Sequence, residues 1–402
     1  MKGCKKTKKC ISCRSGRLHH LYTIGNVPAV NSFLEKENIK EEVRFPLSMV
    51  LCKNCSLVQL EYVVDPKILF KNYQHLSSAS NTNIGHLEEI SACVCEKTRC
   101  LDIGSNDGTL LEMYRAKGAF ALGVDPALNL LSVSNTRCVT TIPKFFNLPL
   151  ARNIYKKYGK FDQITALNVV AHSPDFIDIL LGIKHLLSAD GVAIVEFAYI
   201  FDTLLRGCFD TTYHEHVSCF SLTAFNKALK RVGLCGYKVE KLNTQGGSLR
   251  VFIKTTAPAE FKYSNLLKSE MNNGVFLLKT YRSIPAKILS IKTQLEQYIQ
   301  KYGQGNIVAL GAPARGVVLL NACNVSKRDI KYVVDDTFLK QGRLIPGVHI
   351  PVEGWERLEG ETSNVFLLLS WNYKKEILNK LRKYVSHGKL IIPMPELTVE
   401  EF

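Results

Sequence analysis

The run "CLDIGSNDGTLLEMY", Cys100 to Tyr114, constrains the fold more than any other stretch of the 402 residues. An apolar strand ending in Leu101-Asp102-Ile103-Gly104 enters a loop holding Asn106, Asp107 and a second glycine, Gly108, and leaves it as a helical pattern. Glycines there let the backbone approach a ligand at the carboxyl end of a strand. Twenty-three positions after Asp102 the next strand, "ALGV", ends in Asp125, a carboxylate placed to accept hydrogen bonds from both hydroxyls of a ribose. A further strand, "FDQITALNVVAH", brings Asn168 toward the same end. The loop is not the dinucleotide G-x-G-x-x-G. What the spacing predicts is an α/β unit with a parallel sheet and a nucleoside cofactor.

Around this unit the chain separates into four regions. Residues 1–95 are cysteine-bearing and irregular, with turn formers between short apolar runs. Residues 96–258 alternate short strands with helical stretches. Residues 259–302 show helical periodicity interrupted near Pro285. In residues 303–402 the alternation returns in "NIVALGAPARGVVLLNAC", "IKYVVDD" and "NVFLLLSW", which predicts a second, smaller α/β domain.

Thirteen cysteines without a secretory context favour metal ligands or buried thiols over disulfides. "CISC" and "CKNC" place Cys10, Cys13, Cys52 and Cys55 as two C-x2-C pairs, the pattern of two knuckles converging on tetrahedral zinc. The 38 residues between the pairs must fold as a lobe of their own. Four thiolates close the coordination shell, so the expected zinc is structural. There is no apolar run of membrane-spanning length and no signal-peptide pattern, which points to the cytoplasm. The net charge of +16 is partly concentrated in residues 1–20, with seven Lys and Arg and no acid. Elsewhere it is diffuse and lacks interleaved aromatics, a field that serves a small anion such as a nucleotide diphosphate as well as a polymer.

The glycine loop resembles that of class I S-adenosylmethionine (SAM) methyltransferases. Over almost the whole length the chain is similar to the SAM-dependent C-methyltransferases that act on nucleotide-linked keto-deoxysugars. The motifs are "VPAVNSFL", "FPLSMVLCKNCSLVQL" and "NYQHLSSASNT" near the N-terminus, then "LDIGSNDGTLL", "GVDPALN", "NVVAH", "DTTYHEH" and "GGSLR". "ALGAPARG", "YVVDD", "PGVHIP" and "LLLSWNY" continue the match to the C-terminal region. The resemblance implies a class I SAM methyltransferase core between an N-terminal zinc-binding lobe and a C-terminal Rossmann-like domain. One departure stands out: members of the family often carry Tyr-x-Tyr before the Ser-Ser pair, where this chain has Tyr73 and His75.

The chemistry explains the run "YHEH", residues 213–216. Carbon becomes nucleophilic only after a proton leaves it, so a C-methyltransferase needs a base beside a ketone and a donor for the enolate oxygen. An imidazole suits the first task at neutral pH. The resemblance places the base at His216, with Glu215, Tyr213 and His172 of "NVVAH" beside it and His214 outside the chemistry. Glu215 can orient an imidazole or hold a sugar hydroxyl, and Tyr213 can donate to an oxyanion. Ser77 and Ser78 are candidates for cofactor or sugar contacts, and Tyr73 for the sugar. Arg250 of "GGSLR" and Arg315 of "GAPARG" are candidates for the substrate diphosphate, against simple packing roles.

The expected activity is SAM-dependent C-methylation of a nucleoside-diphosphate 4-keto-6-deoxy sugar at C3, with no membrane partner and no nucleic acid. Two alternatives remain: a zinc-containing nucleic-acid methyltransferase, favoured by the basic N-terminus, and a SAM- or sugar-binding protein without catalysis. The nucleotide, the sugar and the oligomeric state are not specified by these residues.

Overall fold

The computed structural model describes residues 3–70, 73, 76–256, 264–303 and 305–402. The chain divides into two units, each assembled from three segments: Met1–His20, Val50–Asp202 and Glu215–Leu277 form the first, and Leu21–Met49, Thr203–His214 and Leu278–Phe402 the second. Strands Leu18–Pro28 and Arg44–Cys52 straddle the division. The region boundary expected near residue 258 lies outside the described residues. No helix among them is long and apolar enough to cross a membrane.

The first unit is built on a seven-stranded sheet. Its strands are β1 (Arg99–Ile103), β2 (Phe120–Val124), β3 (Thr140–Ile142), β4 (Phe161–Leu167), β5 (Leu187–Ala198), β6 (Cys235–Leu242) and β7 (Ser248–Lys254). Their order is β6-β7-β5-β4-β1-β2-β3. The five strands from β5 to β3 run parallel, and β7 is antiparallel to both β5 and β6. Helix α1 (Asn81–Ser91) precedes β1, and the crossovers that parallel strands need include α2 (Thr109–Ala116), α3 (Leu148–Tyr158) and α4 (Phe176–Leu186), with α5 (Leu222–Val232) leading to β6. Leu87, Ile90 and Val94 bury against Leu110, Leu111 and Tyr114 on one face of the sheet. Helix α5 begins where the Ser221 hydroxyl accepts the Ala224 N–H at 3.0 Å and ends at Gly233, whose φ of +70° terminates it.

The second unit carries a six-stranded sheet of β8 (Ile307–Leu310), β9 (Ile330–Val334), β10 (Val352–Glu353), β11 (Val365–Leu368), β12 (Lys389–Ile392) and β13 (Thr398–Glu401). The order is β10-β9-β8-β11-β12-β13, parallel except for β13. The helical stretch expected before it is resolved into α6 (Ser264–Asn272) and α7 (Ile284–Tyr302). Pro285 opens α7 from its first turn, where the missing N–H has no intrahelical partner to lose. Helix α8 (Ala314–Cys323) follows β8, and α9 (Lys374–Leu381) follows β11.

Candidate active site

The carboxyl ends of β1, β2 and β4 converge on the glycine loop, the place where open parallel sheets bind ligands. Gly104 has φ +75°, and a Cβ there would lie 2.3 Å from Val169 Cγ2; Gly108 has φ +81° and the same problem against Val139 at 2.7 Å. Both positions therefore exclude side chains. The loop is tied from within and from outside. Asn106 N–H donates to Asp125 at 2.8 Å, and Ala127 N–H donates to the other oxygen of the same carboxylate at 2.8 Å. Asn106 Oδ1 accepts Ser77 N–H at 2.9 Å, and Asp107 Oδ2 accepts Ser78 N–H at 2.9 Å. The two serines thus meet the loop through their backbone, immediately before α1 begins.

Burial raises the pKa of two carboxyl groups of this site. Desolvation pushes Asp102 up to about 7, against the Thr165 hydroxyl that donates to it at 2.6 Å and with the help of the nearby Asp125. Asp125 is raised by burial too, with its two N–H donors opposing and Asp107 adding. Asn168 turns the chain at the end of β4 with φ +56°, its N–H donating to Glu196 O at 2.9 Å. The turn carries the chain into His172.

Tyr73, His172, Glu215 and His216 come together in the first unit. The Tyr73 hydroxyl donates to Glu215 Oε2 at 3.3 Å. The ring of His172 lies 5.1 Å from that of His216 and stacks on Phe70 at 5.7 Å with an interplanar angle of 14°. Glu215 and His216 are buried. A two-way bond that the sequence does not signal fixes Tyr73: its N–H donates to Asn129 Oδ1 at 2.9 Å and its carbonyl accepts from Asn129 Nδ2 at 2.8 Å. His75, the departure in the Tyr-x-Tyr pattern, lies outside the described residues.

The division between the units falls inside the YHEH run, after His214. Tyr213 and His214 belong with the second unit, where His214 is fully buried, edge-on to Phe45 at 5.8 Å, with Nε2 3.3 Å from Pro46 O. Burial pushes the His214 imidazole down to about 4. A neutral ring donates from Nε2 to that carbonyl and leaves Nδ1 without a partner. Arg315 is also buried in the second unit, in a two-pronged ion pair with Asp210 at 2.8 and 3.0 Å, its guanidinium 4.4 Å from the centre of the Trp371 ring.

The four cysteines of the two C-x2-C pairs all lie in the first unit, with their sulfur atoms within 4.8 Å of one another. Cys10 and Cys55 are 3.5 Å apart, as are Cys13 and Cys52. These separations bracket the roughly 3.8 Å edge of a tetrahedron with metal–sulfur bonds of ~2.3 Å. The knuckles also match in backbone: Arg14 and Ser56, each following the second cysteine of its pair, take φ +61° and +68° and donate N–H to the first cysteine's carbonyl at 2.9 Å. The hydrogen bond from Cys10 holds the Cys55 thiol down, to about 5. This donor set fits zinc. The second knuckle leads to strand Val58–Leu60, which pairs with Ser218–Cys219, while Leu60 N–H donates to Val217 O at 2.9 Å. His216 is thereby held next to a strand that the metal lobe anchors.

Comparison with known proteins agrees with this construction. Residues 243–395 match a family model described as "C-methyltransferase C-terminal domain", residues 10–70 one described as "Putative zinc binding domain", and residues 64–238 one described as "Methyltransferase domain". C-methyltransferase NovU of Streptomyces niveus is 32% identical to this chain over 404 residues, covering 96% of each protein. The chain belongs to the SAM-dependent C-methyltransferase family.

Solved structures similar to this C-methyltransferase include magnesium protoporphyrin IX methyltransferase (ChlM) from Synechocystis PCC 6803 with bound SAH. It is 15% identical and covers 43% of this chain and 83% of that chain, with a TM-score of 0.35. A TehB-like SAM-dependent methyltransferase from Corynebacterium glutamicum is 19% identical, covering 43% of this chain and 88% of that one, with a TM-score of 0.32.

Proposed function

We propose that this C-methyltransferase acts on a nucleoside-diphosphate-linked 4-keto-6-deoxyhexose, that the acceptor carbon is C3 beside the ketone, and that His216 is the base. The observation that carries the reading is the meeting of His216, Glu215, Tyr73 and His172 in the unit that also holds the glycine loop. Bound SAM supplies an electrophilic methyl group. Against it, the residues must turn a C–H carbon into a nucleophile. His216 takes the C3 proton; Glu215, fixed by the Tyr73 hydroxyl, orients the imidazole or a sugar hydroxyl; His172, stacked on Phe70, donates toward the enolate oxygen.

For the cofactor we assign Asp102, Gly104, Asn106, Asp107, Gly108, Asp125 and Asn168, with Ser78 at the edge of the loop. A buried carboxyl displaced toward neutrality, as at Asp102, is drawn back to its charged form by a neighbouring cation, and SAM carries one on sulfur. Free thiols and a thiolate-bound zinc suit the reducing cytoplasm, where we place the reaction.

The test is incubation with labelled SAM and a panel of nucleotide sugars, beside tRNA and DNA. The expected result is label in a 4-keto-6-deoxy sugar, retained at carbon. With the accepted sugar, His216→Asn should lower turnover on the order of 100-fold or more while leaving SAM affinity intact. Label in nucleic acid, or near-normal turnover by the variant, contradicts the reading.

A further inference from the structure

The last eight residues of β5, "GVAIVEFA" from Gly191 to Ala198, are apolar but for Glu196, a carboxylate buried to 1% exposure. A charge at such depth persists only when it is paired and hydrogen-bonded. Glu196 sits opposite Arg250 in the antiparallel register of β5 and β7, and the Arg250 Nε donates to its Oε1 at 2.5 Å. Its other oxygen, Oε2, lies 2.7 Å from Nε2 of His86 on α1. Arg250 closes the triangle with Nη2 at 3.4 Å from His86 Nδ1, and extends it with Nη1 at 3.3 Å from Glu240 on β6.

The donors settle the tautomer. A guanidinium has no lone pair to offer, so His86 Nδ1 accepts, and the ring proton resides on Nε2, facing the carboxylate. Every member of the triangle then has a partner of the right kind. The carbonyl of the same Glu196 accepts the Asn168 N–H that shapes the turn after β4. Helix α1, for its part, follows the Ser77 and Ser78 N–H groups that bind Asn106 and Asp107 of the glycine loop. One buried node therefore grips both the helix that follows these two serine contacts with the loop and the turn after β4.

We propose that His86, Glu196 and Arg250 are positioning residues for the cofactor site, and that Arg250 acts through this clamp rather than by touching the substrate diphosphate. The inference rests on the glycine loop as the SAM site and is independent of which sugar is methylated. His86→Leu removes the link to α1 and should weaken SAM binding about ten-fold, the usual effect of losing one hydrogen bond inside a charged network. His86→Gln, whose amide nitrogen reaches the place of Nε2, should restore most of it.

Calorimetric titration of SAM into the full-length protein, with KM measured for both substrates, tests the clamp. The expected result is a raised Kd and KM for SAM in His86→Leu and in Arg250→Gln, with the nucleotide-sugar KM within about two-fold of wild type, and a double variant no weaker than the worse single one, since members of one network do not add. Two results would overturn the proposal: Arg250→Gln raising the nucleotide-sugar KM with SAM affinity unchanged, or His86→Leu and His86→Gln both binding SAM like wild type. Because the titration needs no sugar, its outcome is separate from that of the substrate panel.

Discussion

The two α/β units use one backbone device and balance its charge in opposite ways. In the first, Gly104 at φ +75° donates N–H to Val124 O at 2.7 Å, and Asp125 accepts from Asn106 and Ala127. In the second, Gly311 at φ +82° donates to Val334 O at 2.7 Å, and Asp335 accepts from Ala312 at 2.6 Å and Thr337 at 2.9 Å. The difference is Lys340. Its buried ammonium lies 3.7 Å from Asp335 and donates to Ala312 O at 2.9 Å. Burial opposes the Asp335 charge, but Lys340 and the two N–H donors outweigh it and hold the carboxyl below its ordinary range. Asp125 is displaced upward by burial, with an acid, Asp107, as its charged neighbour in place of a lysine. A strand-end carboxylate already matched by a lysine of its own unit has little to gain from a ribose; one that is not has a reason to bind.

The comparison breaks most visibly if the metal is removed. Zinc binding to such sites is worth on the order of 10 kcal/mol of folding free energy. Chelation, or Cys52→Ser, should therefore strip hydrogen-exchange protection from the two knuckles and from strand Val58–Leu60, while β8, β9 and β11 of the second unit keep theirs. Purified protein should carry about one zinc per chain, as one closed four-cysteine site requires. Protection that survives chelation in the first unit would show that the cysteines stabilise without metal.

Next in size is Lys340→Met, which leaves Asp335 buried and unpaired. Breaking a buried pair from one side costs about 3–5 kcal/mol, so urea unfolding at pH 7 should show a loss of that order. In wild type the depressed carboxyl contributes fully above its ordinary value of 3.8 and loses that contribution only below it, as pH falls through the lower folded value. Without Lys340, burial raises the carboxyl instead, so the variant takes up a proton at higher pH and its cost should already shrink toward pH 4. A stability change independent of pH would remove the charge argument for the second unit.

His214 sharpens the second unit further. Its folded pKa is about 4 against an ordinary 6.5, so the unfolded chain takes up the proton first as pH falls. Its stabilisation is full above about pH 6.5 and is lost between there and pH 4, on the order of 3 kcal/mol. His214→Phe should flatten that part of the pH–stability curve measured by thermal or denaturant unfolding. An unchanged slope would place the titrating group elsewhere.

Much of this was legible in the sequence where the signal is local. The strand, glycine loop and helix around Gly104 follow from a dozen consecutive residues, and the C-x2-C spacing reports its own knuckle geometry. Pro285 was readable as a helix boundary, though its place in the first turn of α7 makes it a beginning rather than a break. The interleaving of the units was not legible, because nothing in residues 21–49 or 203–214 advertises which unit they join. Nor was the clamp: His86 lies 110 positions from Glu196, and Arg250 another 54 beyond it. Its one local sign was an acid within the apolar run that ends β5, which demands a partner without saying where the partner is. Asn129, which fixes Tyr73 through two bonds, closes the motif "GVDPALN", but nothing in that motif names its partner.

Calorimetric titration of SAM tests most directly whether the two strand-end carboxylates differ in the way their charge environments require. Wild type should bind one SAM per chain. Asp125→Ala should weaken that binding by roughly 1–3 kcal/mol, the range for hydrogen bonds to a charged group, while Asp335→Ala leaves it unchanged at temperatures where the second unit remains folded. Two SAM per chain, or equal losses from the two substitutions, would contradict the account.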